Sequence, residues 1–251
     1  MRVSILGAQI DAIDHDAFRR RVELFLDGQG SHTIVTPNPE FLVAAQKNQS
    51  FRDALNRADL ALPDGFGLIV AARILGLPLR ERVTGVDAVH TIAEVVAQRG
   101  KSMFLLGGEQ GVAEKAAQAL QKKYPGLKIA GAESGGQMEI GDWKLEIQDI
   151  IEQIRATSPD VLLVAFGHVK QELWMRDHLH LFPSVKIAMG VGGTLDYLAG
   201  AVSVPPRLIR SLGLEWLWRL MTQPWRAKRI FTATVHFMYL VIKDHFKTRS
   251  S

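Results

Sequence analysis

The chain has 251 residues, of which 47% are hydrophobic and 22% are charged, a composition that suits one large globular domain with a small appendage. It contains no cysteine, and this excludes disulfide bonds and zinc sites built from thiolates. The net charge is +4, but residues 204–251 alone carry +7 and leave −3 for residues 1–203, so the basic end indicates an anionic partner, either nucleic acid or a phospholipid surface.

The amino-terminal residues predict a cytoplasmic protein without a metal site. Asp11 follows Met1 too closely for the apolar stretch of a signal peptide. No run reaches the roughly 18 to 20 apolar residues that a membrane-spanning helix needs. Asp14 and Asp16 form a D-x-D pattern, which some sugar transferases use for a divalent cation, but we expect Asp14 to cap an amphipathic helix instead. The eight histidines lack the spacing of a metal-binding helix.

Strands and helices alternate along the rest of the body. The predicted strands span residues 32–38, 58–65, 102–108, 127–132, 160–167 and 185–190. The predicted helices span residues 41–45, 51–57, 66–76, 86–100, 109–124, 142–157 and 170–180. This alternation predicts an α/β fold, a Rossmann-like parallel sheet with helices on both faces. We assign residues 1–203 to this body and residues 204–251 to a basic, Trp-rich helical appendage.

Polar residues and glycines follow most of the predicted strands at the point where each strand ends. They are Thr36 and Asn38, Asp64 and Gly65, Gly107 and Gly108, Gly167 and His168, and Gly190 to Gly193. Each pair alone is typical of a turn. Because ligands bind beyond the carboxyl ends of the strands in such sheets, five such positions on one edge predict a binding site there.

Two of these positions allow more than one interpretation. The segment LLGGEQG (105–111) resembles a turn that binds a diphosphate through backbone N–H groups, but it lacks the full G-x-G-x-x-G spacing. A nicotinamide-dependent oxidoreductase would use it together with Glu133, near the end of the next strand. Asp64, in LPDGFG (62–67), is either an ordinary turn residue or a general base.

The segment GHVKQELW (167–174) offers Lys170 to a phosphate and Gln171 to a sugar or base. The alternative is a solvated first helical turn, with Glu172 favourably placed against the helix dipole. In the appendage, three of the five tryptophans alternate with arginines, and the apolar stretch 230–242 has only 13 residues. That length suits a segment lying at a membrane interface rather than crossing it. The alternative is a helix pair packed on the body.

Seven motifs in order identify a resemblance. They are TPNPEF, PDGFG, ERVTGVD, FLLGG, KQELW, GVGGTLDYLAG and GLEWLWRL…PWRAKR, spread over residues 32–230. Together they resemble the WecG/TagA/CpsF glycosyltransferase family, also called glycosyltransferase family 26, whose members are N-acetylmannosaminyltransferase-like. The resemblance implies an inverting enzyme without a metal or other cofactor. Such an enzyme transfers a sugar from a UDP-sugar to a polyprenyl-diphosphate-linked saccharide in bacterial cell-surface or exopolysaccharide assembly. It also implies an appendage that docks on the anionic cytoplasmic face of the plasma membrane and helps to close the active site.

The resemblance assigns roles to individual residues. It implies that Asp64 is the catalytic base. The substrate-binding positions that we expect are Thr36, Asn38, Arg82, Gly107, Gly108, Gln171, Gly192, Arg219, Arg226 and Arg229. Among these, Arg82 and the appendage arginines suit a lipid diphosphate or the departing UDP.

The chain departs from the family pattern at two places. Val169 stands where the family usually has Pro before KQE, and Val204 stands where it usually has Arg before Ala-Pro. Arg207 is close enough in sequence to replace that arginine. The alternatives to a glycosyltransferase are an NAD-dependent oxidoreductase and a nucleic-acid-binding module. We expect no nucleic-acid partner, because such a module leaves the polar edge of the body unexplained. The sequence leaves open which sugar and which acceptor are used, and whether the chain forms a homo-oligomer.

Overall fold

The computed structural model describes residues 1–79, 81–134, 146–202, 209, 215–222 and 224–249, and a sheet of six parallel strands lies at its centre. In spatial order the strands are β4 (Leu60–Ala61), β3 (His32–Val35), β8 (Ile187–Gly190), β7 (Val161–Ala165), β5 (Ser102–Gly107) and β6 (Lys128–Glu133). Strands β7 and β8 are buried along their whole length, as expected of strands covered on both faces. The predicted α/β fold with a parallel sheet is confirmed.

Helices cover both faces because alternate strand residues point in opposite directions. Leu105 and Leu163 pack towards one helical layer, and Leu106 and Val164 pack towards the other. The first layer contains α1 (His15–Asp27), α5 (Gly85–Gln98), α6 (Val112–Lys123) and α9 (Thr194–Leu198). The second contains α2 (Pro39–Ala45), α3 (Gln49–Arg57), α4 (Phe66–Leu75), α7 (Glu146–Thr157) and α8 (Lys170–His178).

An amino-terminal hairpin, which the sequence analysis did not predict, lies beside the β4 edge of the sheet. Strands β1 (Arg2–Ile5) and β2 (Ala8–Asp11) pair antiparallel around a turn at Leu6 and Gly7, both of which have positive φ angles. The Ala61 N–H donates to Asp11 Oδ2 at 2.9 Å, and the Arg2 guanidinium donates to the Ala58 carbonyl oxygen at 2.6 Å. These bonds occupy polar groups of the segment that contains β4.

The appendage folds back on the body. Its described elements are α10 (Glu215–Thr222), a 3₁₀ turn at Pro224–Arg226, α11 (Ala227–Phe231), a π-helical turn at Thr232–His236 and α12 (Phe237–Arg249). Phe237 and Val241 of α12 are buried in the same apolar cluster as α2 and α4. The predicted boundary between residues 203 and 204 lies outside the described residues and stays a prediction. Within the described ranges, no helix has both the length and the apolar character needed to cross a membrane.

Candidate functional site

The strand-end site, as we call it, lies where β4, β3 and β8 end side by side. It contains Asp64 after β4, Thr36 and Asn38 after β3, and Gly192 and Thr194 after β8.

Backbone hydrogen bonds join the loops of this site. The Asp64 N–H donates to the Pro37 carbonyl oxygen, and the Val83 N–H donates to the Pro63 carbonyl oxygen, both at 3.0 Å. The second bond also holds the loop that carries Arg82 against the Asp64 turn.

Asp64 faces the beginning of α5. The N–H of Gly85, the first residue of that helix, donates to Asp64 Oδ2 at 3.4 Å. The amino end of a helix carries a partial positive charge, so it is a favourable neighbour for a carboxylate. A Cβ atom at Gly85 would lie 2.9 Å from Thr194 Oγ1 and 4.0 Å from Asp64 Oδ2. Glycine at this position therefore lets the carboxylate, the helix and the Thr194 hydroxyl approach one another.

Thr194 is a site residue that the sequence analysis missed. Its side chain is buried, and it opens α9, a helix of five residues. Thr194 lies in the motif GVGGTLDYLAG, in which the sequence analysis assigned the glycines, but not the threonine after them, to the site.

Thr36 and Asn38 lie at the predicted edge, although part of Asn38 serves the fold. Thr36 is buried. Asn38 is the N-cap of α2, and its Oδ1 accepts a hydrogen bond from the Phe41 N–H at 3.2 Å. A substrate contact by Asn38 would therefore come from its NH₂ group.

The Gly107–Gly108 turn packs tightly against the end of β7. A Cβ atom at Gly107 would lie 2.7 Å from the Ala165 carbonyl carbon, so only glycine fits between β5 and β7 here. The Gly108 N–H donates to the Ala165 carbonyl oxygen at 3.1 Å and is not free for a phosphate, contrary to our expectation. The predicted diphosphate contact then depends on the beginning of α6, where Gly111 leaves the helix without a side-chain cap.

Gln171 and Glu172 point into the protein rather than into solvent. Their exposed fractions are 1% and 2%. Gln171 Nε2 donates to Glu172 Oε1 at 2.7 Å, and the Gly192 N–H donates to Gln171 Oε1 at 2.9 Å. The alternative interpretation, a solvated first helical turn, is therefore wrong for these two residues, because the inner face of α8 carries them against β8. The predicted sugar contact of Gln171 competes with bonds that its amide already makes.

Burial raises the pKa of Glu172 to about 7, although the hydrogen bond from Gln171 opposes the shift. When folding raises the pKa of a carboxyl group, the folded protein loses stability as the pH rises from the ordinary pKa of the group to its raised pKa. Above about pH 7 the folded protein carries the full cost of this buried group.

Arg229 brings the appendage to the rim of the strand-end site. Its guanidinium donates to both carboxylate oxygens of Glu40, at 2.9 and 3.0 Å, and Glu40 lies two residues after Asn38. This pairing raises the pKa of Arg229. His168 stacks on Phe41 nearby; burial lowers the pKa of His168, Glu40 opposes that change and Arg229 adds to it.

The segment that follows Asp64 also approaches the appendage, at Gly67. A Cβ atom at Gly67 would lie 2.8 Å from Pro39 Cγ, 3.7 Å from the Ala233 carbonyl oxygen and 3.8 Å from the Phe237 ring. The segment PDGFG is therefore packed between the beginning of α2 and the appendage. The side chains of Arg219 and Arg226, and the segment with Val204 and Arg207, lie outside the described part of the chain, so their predicted contacts stay predictions.

The D-x-D pattern caps a helix, as predicted. Asp14 is the N-cap of α1, and its Oδ1 accepts a hydrogen bond from the Ala17 N–H at 2.7 Å. Over the described ranges, no three His, Asp or Glu side chains are grouped so that they could hold a metal ion.

Comparison with known proteins matches residues 3–251 to the glycosyl transferase WecG/TagA/CpsF family. Three curated relatives share the name N-acetylglucosaminyldiphosphoundecaprenol N-acetyl-beta-D-mannosaminyltransferase. The Bacillus spizizenii protein is 31% identical over 227 residues, which cover 89% of this chain and 85% of that protein. The Bacillus subtilis protein is 32% identical over 211 residues, or 83% and 78% of the two chains. The Staphylococcus aureus (strain MRSA252) protein is 31% identical over 252 residues, or 100% and 96%.

Proposed function

The chain belongs to the glycosyl transferase WecG/TagA/CpsF family, and from this premise we propose that it transfers a sugar from a UDP-sugar to a polyprenyl-diphosphate-linked saccharide. The relatives' name supports an acceptor in which N-acetylglucosamine is linked through a diphosphate to undecaprenol. The product would enter bacterial cell-surface or exopolysaccharide assembly. The observation that carries the proposal is the position of Asp64 at the strand ends, where its carboxylate faces Gly85 at the start of α5, the same glycine that lies against Thr194. Family membership favours this function over the oxidoreductase and nucleic-acid alternatives.

The proposed chemistry is a direct displacement with inversion. Asp64 takes the proton of the acceptor hydroxyl, the acceptor oxygen bonds to the anomeric carbon, and the bond from that carbon to the UDP oxygen breaks. UDP leaves with the electron pair, so its diphosphate needs positive charge or hydrogen-bond donors. Arg82, Arg229 and the amino end of α6 are the groups that we propose for this role. In this scheme no metal ion is needed, because arginines and backbone N–H groups stabilise the negative charge on the departing diphosphate.

The test is a screen of UDP-sugars against a short-chain lipid-diphosphate acceptor that carries N-acetylglucosamine, with EDTA present and the product identified by mass. We expect the acceptor to gain one sugar residue, and UDP-N-acetylmannosamine is the first donor to try because of the relatives' name. Transfer that stops in EDTA and returns with Mg²⁺ or Mn²⁺ would remove metal independence and reopen Asp14 and Asp16. A chain that binds NAD in a fluorescence titration and transfers no sugar would overturn the proposed function.

We also propose that the appendage docks on the anionic cytoplasmic face of the plasma membrane. The side of α11, the π-helical turn and α12 that faces away from the body exposes an apolar stripe, hereafter the outer stripe, made of Phe231, Val235, Tyr239, Ile242 and Phe246. Their spacing of three or four residues places them on one helical face. Lys228, Lys243 and Lys247 are exposed on the same helices. An apolar face flanked by lysines is typical of a helix that lies in a membrane interface.

Replacing Lys243 and Lys247 by glutamine should weaken binding to anionic vesicles by about 30-fold at low salt, because each basic residue near such a surface contributes about 1 kcal/mol. Vesicle co-sedimentation at several salt concentrations measures this. The matched control replaces Lys122 and Lys123 of α6, which are exposed on the opposite helical layer. Transfer to a water-soluble acceptor should stay unchanged in both variants. Equal losses in the two variants, or equal binding to neutral vesicles, would contradict docking through the outer stripe.

A further inference from the structure

A buried series of hydrogen bonds connects α8 to the turn after β8. It runs from Glu172 Oε1 to the Gln171 amide, and from there to the Gly192 N–H, over distances of 2.7 and 2.9 Å. Both side chains lie directly on β8: a Cβ atom at Gly190 would come within 2.7 Å of Gln171 Nε2 and 2.9 Å of Glu172 Oε1. The close approach explains why the last residue of β8 is glycine.

Glu172 fixes the orientation of the Gln171 amide. An amide has a donor end and an acceptor end, and Glu172 Oε1 is an acceptor. It therefore selects the NH₂ end of Gln171 and turns the amide oxygen towards the Gly192 N–H. The opposite orientation would place two donors against each other at Gly192 and two acceptors against each other at Glu172.

The held turn borders the strand-end site. Gly192 has a positive φ angle, Gly193 is the N-cap of α9, and the Thr194 N–H donates to the Val191 carbonyl oxygen at 3.0 Å. The Thr194 hydroxyl in turn packs against Gly85, whose N–H meets Asp64. A shift of the turn at Gly192 would therefore move the surroundings of the proposed base.

Fold stability alone does not account for Glu172. Its Oε2 atom is buried and lacks a hydrogen-bond partner among the described residues. Burial raises the pKa of this carboxyl group even though the Gln171 amide and the backbone N–H groups of Glu172 and Val169 act to lower it. A buried polar atom without a partner is destabilising. Residues that reduce stability in a core are characteristic of functional sites.

We propose that Glu172 is a positioning residue for the transfer reaction. It holds the Gln171 amide, the amide holds Gly192, and this arrangement keeps the turn at residues 190–193 and Thr194 in place against Gly85, whose N–H meets Asp64. The reaction itself rests on the function proposed above, but the positioning of the turn can be measured without it.

The test compares Glu172→Met with Glu172→Gln. Methionine has a similar volume and removes the acceptor, whereas glutamine keeps an oxygen that can accept from Gln171. In Glu172→Met, we expect an unchanged or higher melting temperature, because an apolar side chain replaces a buried carboxyl group. We expect kcat to fall at least tenfold in that variant and to stay within about threefold of the wild type in Glu172→Gln. Hydrogen exchange of the Gly192 amide should accelerate at least tenfold in Glu172→Met alone.

A double substitution tests whether Glu172 acts through Gln171. In a Gln171→Met background, adding Glu172→Met should cause no further loss of kcat, since the amide is already gone. Additive losses, or wild-type kcat in Glu172→Met, would overturn the proposal. An equal loss of kcat in both Glu172 variants, together with lower melting temperatures, would also overturn the proposal, because it indicates a merely structural role. If Glu172→Met does not fold, the test depends on Gln171→Met. We expect this variant to fold and its hydrogen exchange at the Gly192 amide to be faster than in the wild type. Any other result for Gln171→Met would overturn the proposal. A wild-type chain without transferase activity would contradict the proposed function, whereas unchanged exchange would contradict the positioning.

Discussion

Replacing Asp64 by asparagine should lower turnover by about 10²- to 10⁴-fold, the usual value of general-base catalysis. Asparagine has nearly the same shape and can still accept the Gly85 N–H, but it cannot take a proton from the acceptor hydroxyl. The Gly85 N–H lies 3.4 Å from Asp64 Oδ2, a long hydrogen bond that the neutral amide oxygen of asparagine can keep. Steady-state kinetics with the donor and acceptor found in the screen measure the effect.

Donor binding and folding should survive the Asp64→Asn change. The matched control is Asp16→Asn, an exposed aspartate in the first turn of α1, which should keep wild-type turnover. If Asp64→Asn turned over at a near-normal rate, Asp64 would be a turn residue and the base would have to be sought elsewhere on the strand-end site.

Replacing Arg229 by alanine should lower kcat/KM for a water-soluble lipid-diphosphate acceptor by about 10- to 100-fold, the loss expected for a hydrogen bond to a charged group. The reason is its place: the guanidinium is bonded to Glu40, which lies two residues after Asn38 at the rim of the strand-end site. Lys228→Ala, an exposed neighbour on the same helix, is the control and should behave like the wild type.

The ion pair with Glu40 offers a second explanation for a loss of activity in Arg229→Ala, in which Arg229 only holds the appendage to the body. The Glu40→Gln variant distinguishes this explanation from a diphosphate contact. An ion pair with a half-exposed partner contributes little stability. If Arg229 contacts diphosphate, Glu40→Gln should keep most of the activity, because the guanidinium remains. Equal losses in Glu40→Gln and Arg229→Ala would show that the tether matters and would contradict a diphosphate contact.

Much of the fold could be predicted from the sequence, because strands with continuous apolar runs alternate with helices of clear periodicity. The exceptions have local causes. The β1–β2 hairpin turns at Leu6 and Gly7 rather than at Asn-Gly, which is the usual signal for such a turn. Helix α6 begins at Val112 rather than at Glu109, because Gly111 takes a left-handed conformation just before it.

The site could be predicted only in part. The polar residues at the strand ends were identifiable, since a parallel sheet brings those ends to one edge. The inward direction of Gln171 and Glu172 was not, because polar residues on the buried face of α8 interrupt its apolar pattern. Arg229 pairs with Glu40, a residue 189 positions away in the sequence. Local sequence patterns do not predict contacts between residues so far apart.

The strand order also governs how this protein is made. β8, the last strand in the described part of the chain, lies between β3 and β7, so the amino-terminal and central parts of the sheet stay separate until residue 190 is available. Until then β3 and β7 each keep an unpaired edge, and such edges invite pairing with other chains. Contacts of this sequence range also slow folding. The nascent chain therefore protects these edges only at a late step, and the basic segment 204–251 leaves the ribosome after β8.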